Sequence, residues 1–116
     1  MKLSEAIGKF GLTVFAPLAE DIYIVNGYTS DLLSDVIANA GAGTVWITMQ
    51  THANVIAVAA LKDLAAIIVV GGHKPAEDTL ELAKSKGVCV LGTQLPAFDI
   101  TGQLFKTGIR GYLDGV

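Results

Sequence analysis

The sequence predicts a single α/β domain of three layers, a mostly parallel sheet with helices on both faces. Three observations carry this prediction. From Ile22 onward, short β-rich runs alternate with helix-length stretches in the order β-α-β-α-β-α-β-α, joined by connections of a few residues. Such repeats build parallel strands linked by right-handed crossovers. The run Ile67-Ile68-Val69-Val70 is apolar at every position, the pattern of a strand covered on both sides rather than one with a wet face. Finally, 52% of the 116 residues are hydrophobic and only 16% are charged. That surplus suits a doubly covered sheet and leaves apolar surface for a subunit interface. The domain is read as residues 1–116, with its core at about 22–108.

The elements follow in order. Ser4 is placed to cap a short helix through Ala6, Ile7 and Phe10, which Gly11 ends. Leu12 to Phe15 and Ile22 to Val25 read as short strands, with Pro17 and Glu20-Asp21 marking the turn between them. In "NGYTSDLLSDVIANAG" the residues Leu32, Leu33, Val36, Ile37 and Ala40 share one helical face, and Gly41 is a C-terminal stop. Ser30 is the expected N-cap of this helix. Thr44 to Met49 reads as a strand, and Asn54 caps a helix through Leu61. Ala65 to Val70 is the aliphatic strand and ends in Gly71-Gly72. The helix from about Ala76 to Lys86 has Glu77 and Asp78 in its first turn and Lys84 and Lys86 in its last, which matches the helix dipole at both ends. Gly87 stops it, and Val88 to Leu91 is the next strand. Pro96 opens the last helix, with Phe98, Ile100, Leu104 and Phe105 as its apolar face and Gly108 as its end. Val116 falls in a short tail beyond it.

Composition excludes several classes. A net charge of −3 with no Lys/Arg cluster gives none of the basic face that nucleic-acid binding needs. Cys89 is the only cysteine, so there is neither an internal disulfide nor a cysteine-based zinc site, and its apolar neighbours Val88, Val90 and Leu91 mark it as a buried thiol. The longest apolar runs, Val55 to Leu61 and Leu64 to Val70, fall far short of the ~20 residues of a membrane helix. The patch from Phe10 to Ala19 follows Glu5 and Lys9 and is broken by Gly11, Thr13 and Pro17, which argues against a signal peptide. A cytoplasmic protein is expected.

In parallel sheets, ligands bind at the carboxyl ends of the strands, and the polar residues collect there. The candidate ligand-binding residues are Ser30 and Asp31 after the first of these strands, then Thr51, His52 and Asn54 after the second. Gly71, Gly72, His73 and Lys74 follow the third, and Thr93 follows the fourth. Helix N-termini on that edge favour an anionic group, such as a small anion or a nucleotide. Asp31 and Asp35 lie four residues apart, and they read as the solvated side of an amphipathic helix or as a pair of ligand-binding acids. No third metal ligand is in register with them, so no metal is assigned. Gly71-Gly72 lets the backbone approach a phosphate, but the chain has neither the G-x-x-x-x-G-K-[ST] loop nor G-x-G-x-x-G. No serine stands in a nucleophile elbow. No catalytic residue and no cofactor are assigned.

The stretch "NGYTSDLLSDVIANAGAGTVWITMQTHANVIAVAAL", followed by "IIVVGGHKP", resembles the small stand-alone DRTGG-domain proteins. The resemblance runs from about Ile22 to Gly108, and "SDLLSDV" and "T-x-x-T-H-x-N-x-x-A-V-A" are its most specific parts. It implies kinship with the N-terminal domain of HPr kinase/phosphorylases and with domains that accompany CBS domains in regulated pyrophosphatases. It also implies association with iron-hydrogenase systems. Kinase activity is not implied, since in the two-domain enzyme the phosphate-binding loop belongs to the other domain. The signature itself is altered: His73-Lys74 stands where Asp-Arg is expected, and Gly92-Thr93-Gln94 where Thr-Gly-Gly is expected. Together these readings point to a non-catalytic regulatory or ligand-sensing module, homodimeric or docked on an enzyme partner. Two other readings stay open. One is a structural adaptor for a redox or hydrogenase assembly; the other is a small enzyme using His52 or His73 with Asp31.

Overall fold

A computed structural model describes residues 1–111 of the chain. Helix α1 (Leu3–Phe10) leads into β1 (Thr13–Ala16), and the chain then runs β2 (Asn26–Thr29), α2 (Leu33–Asn39), β3 (Thr44–Thr48) and α3 (Asn54–Lys62). It continues through β4 (Ala66–Val69), α4 (Glu77–Lys86), β5 (Val90–Gly92) and α5 (Ala97–Lys106). The sheet order is β1-β5-β4-β3-β2. β2, β3, β4 and β5 are parallel neighbours, while β1 runs antiparallel along β5 with an irregular step between Val14 and Ala16.

The three layers follow from this order. Strands β2 to β5 step across the sheet in one direction, so right-handed crossovers put α2, α3 and α4 on the same face. Trp46, Ile67, Val69 and Val90 point there and pack with Val36, Val55, Ile56 and Ala83. The alternate residues Val45, Ile47, Ala66, Ile68, Val70 and Leu91 point the other way and pack with Leu3 and Ala6 of α1 and Ile100 and Leu104 of α5. Both faces are therefore dry, as the unbroken aliphatic strand requires. The predicted three-layer α/β class is the one observed.

Several boundaries differ from the sequence reading, each for a local reason. Ser4 is not the cap of α1. Lys2 holds that position and its N–H donates to the Glu5 carboxylate at 3.1 Å, while the Ser4 N–H and hydroxyl donate to Asp21 at 2.9 and 2.6 Å. Ile22 to Val25 is not a strand of the sheet: Leu3 donates to the Ile22 carbonyl, Ile24 to that of Met1, and Val25 to that of Gly43 just before β3. The strand is instead Asn26–Thr29. Leu32, not Ser30, is the N-cap residue of α2, and it is 64% exposed. Asn54 is the first residue of α3 rather than its cap, which is Ala53. β5 begins at Val90, two residues later than predicted, because the Val88 N–H still closes the end of α4 on the Ala83 carbonyl. On α5, Ile100 and Leu104 are buried, but Phe98 is 89% and Phe105 54% exposed. The apolar face is thus narrower than the sequence suggested. Val116 lies outside the described residues. No helix among the described residues is long and apolar enough to cross a membrane.

Candidate functional site

The carboxyl ends of β2, β3 and β4 and the start of α5 enclose a cleft of about 280 Å³. Thr29, Ser30 and Asp31 form one wall, Ile47 and Met49 a second, Val70, Gly71 and His73 a third, and Pro96 and Ala97 the fourth. Ile47 and Val70 are core residues on the α5 face of the sheet, so the floor of the cleft is the rim of the core. Concavities of about 330 and 410 Å³ occur elsewhere, one beside Leu18 and Gly87 and one between Lys74 and Lys84. The cleft is the concavity at the strand ends, where side chains from separate strands converge and open parallel sheets hold their ligands.

Of the candidate residues, Ser30, Asp31, Gly71 and His73 line the cleft, whereas Thr51, His52, Asn54, Gly72, Lys74 and Thr93 do not. The Thr51 carbonyl accepts from the buried Thr79 hydroxyl at 3.0 Å, tying the β3–α3 loop to α4. His52 and Asn54 are exposed at the start of α3. Lys74 faces the groove along α4 with Pro75, Glu77 and Leu80. The sequence reading missed the walls made by Met49, Pro96 and Ala97, and those made by Ile47 and Val70, which carry only the signal of buried strand residues.

Gly71-Gly72, read as a place where the backbone could approach a phosphate, has its N–H groups engaged within the fold. Both glycines adopt positive φ, 67° and 73°, which a residue with a Cβ rarely does. Their N–H groups are already spent, however: Gly71 donates to the Leu95 carbonyl at 2.8 Å and Gly72 to that of Thr93 at 2.9 Å. His73 donates to Val70 at 3.3 Å. The loop is a tie between β4 and the β5–α5 connection. Thr93 belongs to the same tie, its hydroxyl oxygen accepting from the Leu95 N–H at 3.2 Å.

The opening of α2 is also rearranged. Asp31 lies before the helix and turns toward the sheet, where its Oδ1 accepts from the Thr48 hydroxyl at 2.8 Å and from the Met49 N–H at 2.9 Å. The Asp31 carbonyl accepts from the Gln50 side chain at 3.0 Å. Ser30 makes a local turn, its Oγ accepting from the Leu32 N–H at 3.2 Å, and its carbonyl accepts from the indole N–H of Trp46 at 2.8 Å. Asp35 points elsewhere. Its Oδ1 accepts from the Tyr28 hydroxyl at 2.5 Å and from Asn39 at 2.9 Å. The Tyr28 hydrogen bond above all, then Ser30 and Asn39, hold the Asp35 carboxyl below its ordinary value. The two aspartates are thus separate clamps rather than a shared site or a single solvated face. Among the described residues, no three His, Cys, Asp or Glu side chains gather in a metal-binding group.

No family model matches the sequence, and no curated protein matches it. A solved structure does. The crystal structure of the CBS and DRTGG domains of the regulatory region of Clostridium perfringens pyrophosphatase, complexed with its activator diadenosine tetraphosphate, aligns with a TM-score of 0.75 at 17% identity. The alignment covers 97% of this chain and 51% of that one, so the protein spans about half the length of its structural neighbour. The likeness is one of fold. Nearly the whole chain takes a fold found in that regulatory region.

Proposed function

We propose that the protein is a non-catalytic regulatory module of DRTGG-like type that senses a small ligand in the cleft at the carboxyl ends of β2, β3 and β4. The observation that carries this reading is the cleft itself, an apolar concavity with a few polar groups converging on it, as small-molecule sites have. The fold it shares with a nucleotide-activated regulatory region supports a nucleotide-type ligand. The arrangement of side chains favours binding over chemistry. Among the described residues no hydrogen bond joins Ser30, Asp31 and His73 into a nucleophile–base relay, and the Ser30 and Asp31 side-chain oxygens hold backbone and Thr48 groups in place.

The module is read as a homodimer that serves a redox or hydrogenase enzyme. The test is a thermal-shift screen of nucleotides and phosphorylated metabolites on the full chain. A ligand at 100 times its Kd adds about 2.7 kcal/mol of stability. No shift with any member of the panel would remove the sensing reading, and a monomer in sedimentation at working concentration would remove the homodimer. A structural adaptor is the second reading. It is favoured by Phe98 and Phe105, two large apolar side chains left exposed on α5, and it predicts a co-purifying partner without any ligand response.

A further inference from the structure

The cleft walls discriminate among the parts of a nucleotide. Ile47 and Val70 are nearly inaccessible, at 2% and 4%, and with Met49, Pro96 and Ala97 they give the cleft apolar sides. A thioether adapts to a flat ring laid against it. No Lys or Arg lines the cleft. The N–H groups of Gly71, Gly72 and His73 are all taken by carbonyls. A phosphate would therefore find no backbone donor in that loop, only the His73 side chain, and would face the Asp31 carboxylate.

Asp31 asks for the opposite kind of group. An ionised carboxylate only accepts hydrogen bonds, through about four lone-pair sites. Its Oδ1 is engaged twice, by Thr48 and Met49, while Oδ2 has no hydrogen-bond partner among the described residues. The volume of about 280 Å³ lies just below the roughly 300–1,000 Å³ of small-molecule sites, a size for a base with its sugar rather than for a dinucleotide.

We propose that the cleft binds an amino-bearing nucleobase of the adenine type, its amino N–H donating to Asp31 between the apolar walls, with any phosphate left outside. This rests on the ligand-sensing reading and narrows it. The experiment is calorimetric titration of the full chain with adenosine, with purine riboside (the same ring without the amino group), and with inorganic tripolyphosphate. The parent and Asp31→Asn are compared, after circular dichroism shows that both are folded. Asparagine keeps a carbonyl at the Oδ1 position for Thr48 and Met49 but turns an amide N–H₂ toward the ring nitrogens that both nucleosides share. The parent should bind adenosine about tenfold or more tightly than purine riboside, the size of one lost hydrogen bond to a charged group. In Asp31→Asn the two should come within about threefold of each other. Equal binding of the two nucleosides by the parent, a preference that survives in Asp31→Asn, or tighter binding of tripolyphosphate than of adenosine would each overturn the proposal. A nucleotide response in the metabolite screen without adenosine binding overturns it and leaves the sensing reading standing. Silence in both experiments overturns both.

Discussion

Removing the Asp31 carboxylate should release the β2–α2 connection from the end of β3. Two hydrogen bonds are lost in Asp31→Ala, from the Thr48 hydroxyl and from the Met49 N–H. Thr48 is 1% exposed, so water cannot readily replace the missing acceptor. A hydrogen bond to a charged group contributes about 1.5–3 kcal/mol, and a stranded buried donor costs about 1–3 kcal/mol. Asp31 and Met49 are themselves exposed, and solvent screening moves the total toward the lower end, to about 2 kcal/mol. Asp31→Asn keeps an acceptor at Oδ1 and should cost less than about 1 kcal/mol. Urea unfolding followed by the emission of Trp46, the single tryptophan and wholly buried, resolves these values. With m near 1–3 kcal/mol per molar, the alanine variant should lower the midpoint by about 1 M. An alanine variant within ~0.5 kcal/mol of the parent, or an asparagine variant as damaged as the alanine one, would refute the clamp. A raised midpoint in both would show the carboxylate to be held against the repulsion of a neighbouring acid, as in a ligand-binding acid pair and not on a solvated face.

Acid should weaken the fold through Asp21 and Asp35. Ser4, by its side chain first and its backbone second, holds the Asp21 carboxyl below 3.8, and Tyr28 does the same for Asp35. A depressed folded pKa gives stability that is present above about pH 4 and lost as pH falls through and below that value; melting temperatures from pH 6 to pH 2 should show the loss, and Ser4→Ala should blunt it. The same Asp35 hydrogen bond, with burial and the Asp35 charge behind it, raises the Tyr28 phenol above 10.0, so that contribution is present below pH 10 and lost as pH rises through the folded value. Asp35→Asn should bring the Tyr28 absorbance titration back toward 10.0. Cys89, its thiol pushed up to about 12 by burial, should resist Ellman's reagent at pH 8 in the native protein and react on unfolding; rapid native reaction would contradict its burial. Gly43→Ala places a Cβ 2.5 Å from a Val25 methyl at φ +79°, and the strain and overlap together should cost about 1–3 kcal/mol in the same urea assay.

The core was legible where local preference and burial agree. Ile67 to Val70 is β-branched and doubly buried, so one run of letters carries both facts. The edge strand was not. Asn26-Gly27-Tyr28-Thr29 is half exposed and reads as a loop, while the apolar Ile22 to Val25 beside it draws the strand assignment. What distinguishes them is a partner, and partners are set by the tertiary fold. Val25 is 67% exposed although it looks like core. The candidate cleft lies on the strand-end edge where the polar loops collect, but its lining was not legible. His52 and His73 occupy equivalent places after strands, yet only His73 reaches the cleft. No local signal separates them, because the choice depends on which face of the sheet the later helix α5 covers. Asp31 was misassigned for a related reason: two Ser-Asp pairs at helical spacing suggest one helix face, but the first pair precedes the helix, and Asp31 is held by Thr48 at the end of the neighbouring strand β3.

The position of α5 follows from the order of the strands. Three crossovers in one direction use one face of the sheet for α2, α3 and α4, so the last helix must cross the other face beside α1. It begins after β5 and returns over the sheet toward β2, where the Thr101 and Thr29 hydroxyls meet at 2.9 Å. Beyond it the Arg110 carbonyl accepts from the Gly27 N–H at 3.0 Å, on the outer edge of β2. The start of this helix, Pro96 and Ala97, is thereby brought against the ends of β3 and β4, and the space left between them is the cleft. Its walls therefore come from four separate parts of the chain and belong to no local motif. The glycine tie that consumes the Gly71 and Gly72 N–H groups fixes the β5–α5 connection, and with it the distance between Pro96 and Val70. The glycine loop thus shapes the cleft while its own backbone N–H groups stay within the fold.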